Sequence, residues 1–255
     1  MASFSSQLQF DRSPERCKGF AGDQPMPETA SALDLILGGD PTLYSIVRLS
    51  LFVSLSAVAI AASIGMPLGA LLALVDFPGR TFLVVVVNAF MGLPPVVLGL
   101  AVFLLLSHSG PLGFLGILFT PRAMILAQAF LVLPIIAALT RQAVEDLWVE
   151  YRDELTAMRV GPLRRVTTLL WDARFTLVTT LLAGFGRAAA EVGTLMIVGG
   201  NINGFTRTMT TAIALETSKG DLPLALGLGC ILIAIIILIN AMAWSIRRVG
   251  EIRAG

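Results

Sequence analysis

Five long apolar runs limit what this chain can fold into: Leu43 to Val75, Thr81 to Ser107, Arg122 to Thr140, Phe175 to Gly200 and Leu222 to Ile246. A hydrocarbon core takes about 20 helical residues to cross, and each run supplies that length. In lipid every backbone N–H and C=O must be paired internally, which leaves helices or a closed barrel. A barrel needs short segments of alternating polarity, and none of the five alternates. The expectation is an all-α integral membrane protein with five spanning helices. The composition agrees, since 56% hydrophobic and 14% charged residues, with mean hydropathy +0.84, lie outside the range of soluble domains.

Two runs carry internal irregularities. The first, as one helix, is about 50 Å long and is expected to bend near Gly65-Met66-Pro67 or to project beyond the bilayer. The second holds Gly92-Leu93-Pro94-Pro95 in mid-span, a break tolerated where helices pack or line a cavity. Ahead of the spans, residues 1–28 are polar and rich in Ser, Pro and Gly, and read as a disordered tail. Thr29 to Gly39 reads as a short amphipathic helix, too short to span and placed at the membrane interface, so the membrane domain covers 29–255.

Arginine distribution sets the orientation. Arg141, Arg152, Arg159, Arg164, Arg165 and Arg174 lie between runs three and four, and Arg247, Arg248 and Arg253 follow run five. These sides are expected to be cytoplasmic, whereas 108–121 has no Lys or Arg before position 122 and falls outside. Five spans then put the amino terminus outside and the carboxyl terminus in the cytoplasm.

Several chemistries are absent from the sequence. It contains no Gly-x-x-x-x-Gly-Lys-Ser/Thr loop to cradle nucleotide phosphates, no His-Glu-x-x-His and no Gly-x-Ser-x-Gly. His108 is the single histidine, and Cys17 and Cys230 stand in unlike settings, so neither catalytic residues nor metal ligands are expected. No cofactor is expected, and a net charge of +1 gives no reason to expect a nucleic-acid partner.

Two polar segments remain. Residues 141–174 form a charged loop in which Glu150 to Arg159 reads as helix, Gly161 as its stop and Pro162 as the first position of a new helix. A helix, turn and helix projecting from a membrane suits docking, and a merely solvated connection is the plain alternative. Within the fourth run, Arg187 and Glu191 stand one helical turn apart, where charges cost several kcal/mol unless paired or hydrated. A structural pair and a pathway role are both open to them. Gly184, Gly186, Ala188, Ala189, Ala190 and Gly193 allow close helix approach. Gly199, Gly200 and Asn201, followed by Thr208 and Thr210, form a segment dense in hydroxyls and amides whose backbone N–H groups suit an anion.

These segments resemble those of ABC importer permeases. Their motif runs Glu-Ala-Ala, three residues, Gly, nine residues, Ile, one residue, Leu-Pro. Aligned on Gly161, Ala157 takes the last place of the triplet; Leu155 stands where the family has Glu, beside Glu154, and Arg174 stands where it has Pro. The stretch from Gly184 to Asp221 resembles most the tungstate-type permeases, and less the molybdate and sulfate types. The resemblance implies a type I importer permease fold with a cytoplasmic coupling helix. It implies a cytoplasmic ATPase dimer docking at Asp153, Glu154, Ala157, Gly161 and Arg164, an extracytoplasmic binding protein, and a second copy of the chain in a bacterial inner membrane. It also implies a pathway or gate at Arg187, Glu191, Gly193, Gly199, Gly200, Asn201, Thr208 and Thr210. The cargo is then an oxyanion such as tungstate, with molybdate, sulfate and phosphate as alternatives. A transporter working alone, with Arg187 and Glu191 as an ion relay, is the rival from another class, weakened by the short chain and the Gly-broken loop.

Overall fold

The structure is a computed structural model and describes residues 41–254; the expected tail at 1–28 and interfacial helix at 29–39 lie outside these. Among the described residues all regular structure is helical. The first run is one unbroken helix, α1 (Pro41–Leu74), with Pro67 inside it. Continuity rather than a break is the outcome there, because close packing on a neighbour holds the helix around the proline. That neighbour is α4 (Pro121–Ala157), 37 residues long with Pro134 inside.

The α1–α4 crossing is close because its residues are small. A Cβ added at Gly65 would lie 3.2 Å from both Ile136 Cγ2 and the Leu133 carbonyl, and one at Gly69 would lie 3.0 Å from Arg141 N. Lipid removes most of the hydrophobic drive between helices, so close backbone approach and packing hold such a pair. Around the crossing, Val58, Ala61, Val132, Ile136, Phe185 and Ala188 form one buried cluster.

The second run is a bent pair, α2 (Arg80–Met91) and α3 (Pro95–Leu106), meeting at 104° across the Gly92–Pro94 break. The fourth is also bent: α6 (Arg174–Ala189) and α7 (Gly193–Gly199) meet at 61°. The fifth is α9 (Leu222–Ala254). Among the described residues three helices are long and apolar enough to cross a membrane alone, and each bent pair counted as one span brings the number to five. Leu226, Ile233 and Ile237 of α9 and Phe82 and Val85 of α2 are exposed, as suits side chains whose solvent is lipid.

The helix, turn and helix expected within 141–174 are present, but the first helix is not separate from the span. Run three does not end at Thr140; α4 continues for almost five more turns to Ala157, and after a short turn α5 (Pro162–Asp172) folds back. Ala70, Ala73, Val144, Val166 and Leu169 bury one another there, so apolar packing fixes the projecting part against α1. Pro162 takes the first helical position as expected, but Gly161 is not the stop. Its φ of −68° is ordinary extended backbone, and it caps the start of α5. The left-handed residue that turns the chain is Arg159, at φ 50°. Helix α8 (Met209–Lys219) fills the remaining polar segment, opened by a capping box of Thr208 and Thr211.

Candidate functional site

The polar groups of the apolar region gather where the two bent spans meet. Thr194, in the first turn of α7, donates from Oγ1 to the Pro95 carbonyl in the first turn of α3 at 2.8 Å. The contact is tight because both partners are small. A Cβ on Gly99 would come within 2.9 Å of Thr194 Cα, and one on Gly193 within 2.8 Å of Val96 Cγ2. The two spans therefore dock break to break.

Glu191 sits in the gap between α6 and α7, only 3% exposed. Its Oε1 accepts from the Thr194 backbone N–H at 3.0 Å, satisfying one of the donors that a helix start leaves open. Its Oε2 lies 3.4 Å from Arg187 Nη1, so the expected pair is present. The two partners differ in setting, because the Arg187 side chain keeps 35% of its surface exposed. The Glu191 carbonyl accepts from Thr210 Oγ1 at 2.8 Å, joining the break to α8. The Ala188 carbonyl, near the end of α6, accepts from Gln128 Nε2 at 2.9 Å as well as from the Glu191 N–H at 3.2 Å. Gln128 is fully buried on α4, so the long helix grips the fourth span at its break.

Around this node the hydroxyl-rich segment turns inward. Thr206, Thr208, Thr210 and Thr211 are all buried. Thr206 Oγ1 donates to the Gly199 carbonyl at 2.6 Å and accepts from the Ile202 N–H, closing the turn after α7. Gly200 and Asn201 both take left-handed conformations in that turn, at φ 70° and 48°. A side chain at Gly200 would strike the Phe119 ring, and Gly199 lies against the Met124 thioether. Ser50 Oγ of α1 accepts from the Met209 N–H at 2.7 Å. Ser50, Ser54, Thr208 and Thr210 line a cavity of about 10 Å³, close to the room one water needs.

The expected pathway residues Arg187, Glu191, Gly193 and Thr210 are thus brought into one node, with Thr208 beside it. Gly199, Gly200 and Asn201 belong to the adjoining turn. Sequence reasoning missed Gln128, Thr194, Ser50 and Pro95. Gln128 and Ser50 were visible as polar residues inside apolar runs; nothing local marked the Pro95 carbonyl.

A second site lies at the far end of α4. Arg80 binds the Leu72 carbonyl through Nε at 2.6 Å and pairs with Asp76 at 3.1 Å and Glu145 at 3.0 Å, while Arg141 holds Glu145 at 2.6 Å. This cluster ties the α1–α2 turn to α4, below the projecting helix. Beyond it, Asp153, Glu154, Ala157, Gly161 and Arg164 are all exposed, grouped about the α4–α5 turn. Met158 and Leu163 stand exposed among them, and Arg165 fixes the turn by donating to the Val160 carbonyl at 2.7 Å and stacking over Trp148. Exposed apolar side chains with flanking charges on a rigid projection have a composition that suits docking. Among the described residues no group of three His, Cys, Asp or Glu could hold a metal ion.

No family model matches the chain. Curated relatives do. The chain is 42% identical over 205 residues to the probable anion ABC transporter permease protein of Haloferax volcanii, covering 78% of this chain and 88% of the relative. It is 39% identical over 217 residues to the tungstate uptake system permease protein TupB of Peptoclostridium acidaminophilum, covering 85% and 95%. It is 37% identical over 217 residues to the protein of that same description in Campylobacter jejuni, covering 85% and 91%.

Proposed function

The chain belongs to the permease subunits of ABC transporters, and from that membership we propose that it forms half the membrane pore of an ATP-driven importer of tungstate. As a permease it is a multi-pass inner-membrane transport subunit and not itself an enzyme. The observation that carries the cargo is the match over 85% of the chain to relatives named for tungstate uptake. Selectivity rests with an extracytoplasmic binding protein, energy with a cytoplasmic ATPase dimer, and the pore needs a second copy of this chain.

In this reading the arginine-rich end, with Arg80, Arg141 and the α4–α5 turn, faces the cytoplasm, and the amino terminus lies outside. Asp153, Glu154, Ala157, Gly161 and Arg164 meet the ATPase, and the exposure of all five supports that role. Helix α4 serves as the lever. The part of it from the docking turn to Gln128, which holds the Ala188 carbonyl at the break, is about 45 Å of helix. Closure of the ATPase pair displaces the turn, and α4 carries that displacement to the Arg187–Glu191 node and its neighbours Gly193, Gly199, Gly200, Asn201, Thr208 and Thr210, which form the gate.

Deleting the coding sequence tests the cargo. Cells lacking the chain accumulate less tungsten from micromolar tungstate, measured by elemental mass spectrometry, while molybdenum and sulfur contents hold. Unchanged tungsten with a fall in molybdenum or sulfur would assign a different oxyanion.

A further inference from the structure

Beside the Ser50–Met209 hydrogen bond stand two arginines that neither the docking turn nor the gate uses. Arg48 lies two residues before Ser50 on α1, and Arg207 two residues before Met209, so the 2.7 Å bond brings both to one place. They line a recess of about 400 Å³, walled by Phe52 and Phe205. That is far more than the ~10–15 Å³ a single water needs, so a hydrated ion fits.

The charges there do not balance. Arg48 is exposed in an apolar helix, and no hydrogen bond or ion pair to it occurs among the described residues. Arg207 is mostly buried, its side chain 18% exposed. Its contact with Glu216 is long, 4.0 Å, and Glu216 is held more closely by Lys219 at 3.0 Å. The Arg207 Nε is buried with no hydrogen-bond partner. Among the described residues Glu216 thus answers two cations, Arg207 and Lys219, and Arg48 has no counter-charge, an arrangement that repels itself unless an anion completes it. Guanidinium groups match tetrahedral oxyanions in charge and geometry.

The recess also has a place in the fold. Val53, one turn further along α1 than Ser50, packs on Met124 near the start of α4, so Arg48 sits at the end of the bundle opposite the Arg80–Glu145 cluster. In the proposed orientation that end is the outer one. Beside the Ser50–Met209 bond, Ser50, Ser54, Thr208 and Thr210 line the small cavity, and Thr210 binds the Glu191 carbonyl.

We propose that Arg48 and Arg207 form an entry site that receives a tetrahedral oxyanion at the outer mouth before it reaches the gate. The site rests on the importer reading. A phospholipid headgroup offers the same phosphate-like chemistry, and the test separates the two sources.

The complete complex of permease, ATPase and binding protein is reconstituted in proteoliposomes with tungstate as the probe. R48Q and R207Q each lower the tungstate imported per ATP hydrolysed by about tenfold, the equivalent of one charge-assisted hydrogen bond, and R48K and R207K keep most of it. The double variant retains wild-type monodispersity in detergent. Wild-type import matched by the double variant overturns the entry site alone. Absence of tungstate import by the wild type fells the importer reading and the site with it. Phospholipid retained by the wild type and lost from R48Q/R207Q in native mass spectrometry, with import per ATP unchanged, gives the recess to lipid and overturns the assignment.

Discussion

The Arg187–Glu191 pair is unequal, and the inequality predicts which partner matters more. Removing Arg187 leaves a carboxylate buried, whereas removing Glu191 leaves a guanidinium with over a third of its surface available for hydration. R187Q therefore costs about 2 kcal/mol or more, and E191Q less, because glutamine still offers an oxygen to the Thr194 N–H. Combining the two relieves the unpaired charge, so R187Q/E191Q unfolds at a higher temperature than R187Q alone. Thermal unfolding in detergent, followed by intrinsic fluorescence, measures this; a double variant no more stable than R187Q would contradict the pair. The sequence made this pair legible, since two charges one turn apart in an apolar run need each other. What it hid was the helix end between them, because Ala190 and Val192 carry no breaking signal, and the turn is set by the docking of Thr194 on Pro95.

At the scale of elements, the two bent spans depend on glycines for contact, while the docking turn does not. G99V places a side chain against the Thr194 backbone, which cannot move away as a flexible side chain would. Overpacking of this kind costs about 1–3 kcal/mol; the measurable outcome is a lower unfolding temperature with the α4–α5 turn intact. Gly161 is the opposite case. Its φ suits any residue, and a Cβ there meets nothing within 4 Å. G161L consequently leaves the unfolding temperature of the isolated chain unchanged and disrupts copurification with the ATPase. Normal copurification would remove the turn from the docking surface. Five apolar runs, the Gly92–Pro95 break and Pro162 at a helix start were all readable from residue type. The helix at Glu150 was readable too, but its continuity with the span was not, because the polar outer face of the joining turns reads as a solvated connection, and only the packing of Val144 against Ala70, Val166 and Leu169 makes them rigid. Arg159, too, had no signature as the left-handed residue; glycine at 161 was the obvious candidate for the stop, and the chain turned two residues earlier.

For the whole molecule, the account joins two ends through one helix. In the proposed function the exposed turn at one end of α4 takes up motion from a partner, and Gln128, bonded to the Ala188 carbonyl, delivers it to the break in the fourth span. On that proposal transport depends on the ATPase. The most direct measurement is tungstate uptake into proteoliposomes holding this chain, with the ATPase and the binding protein added or withheld in turn and ATP enclosed or omitted. The account predicts uptake only when all three proteins and ATP are present. Uptake by this chain alone, driven by an ion gradient without ATP, would contradict it.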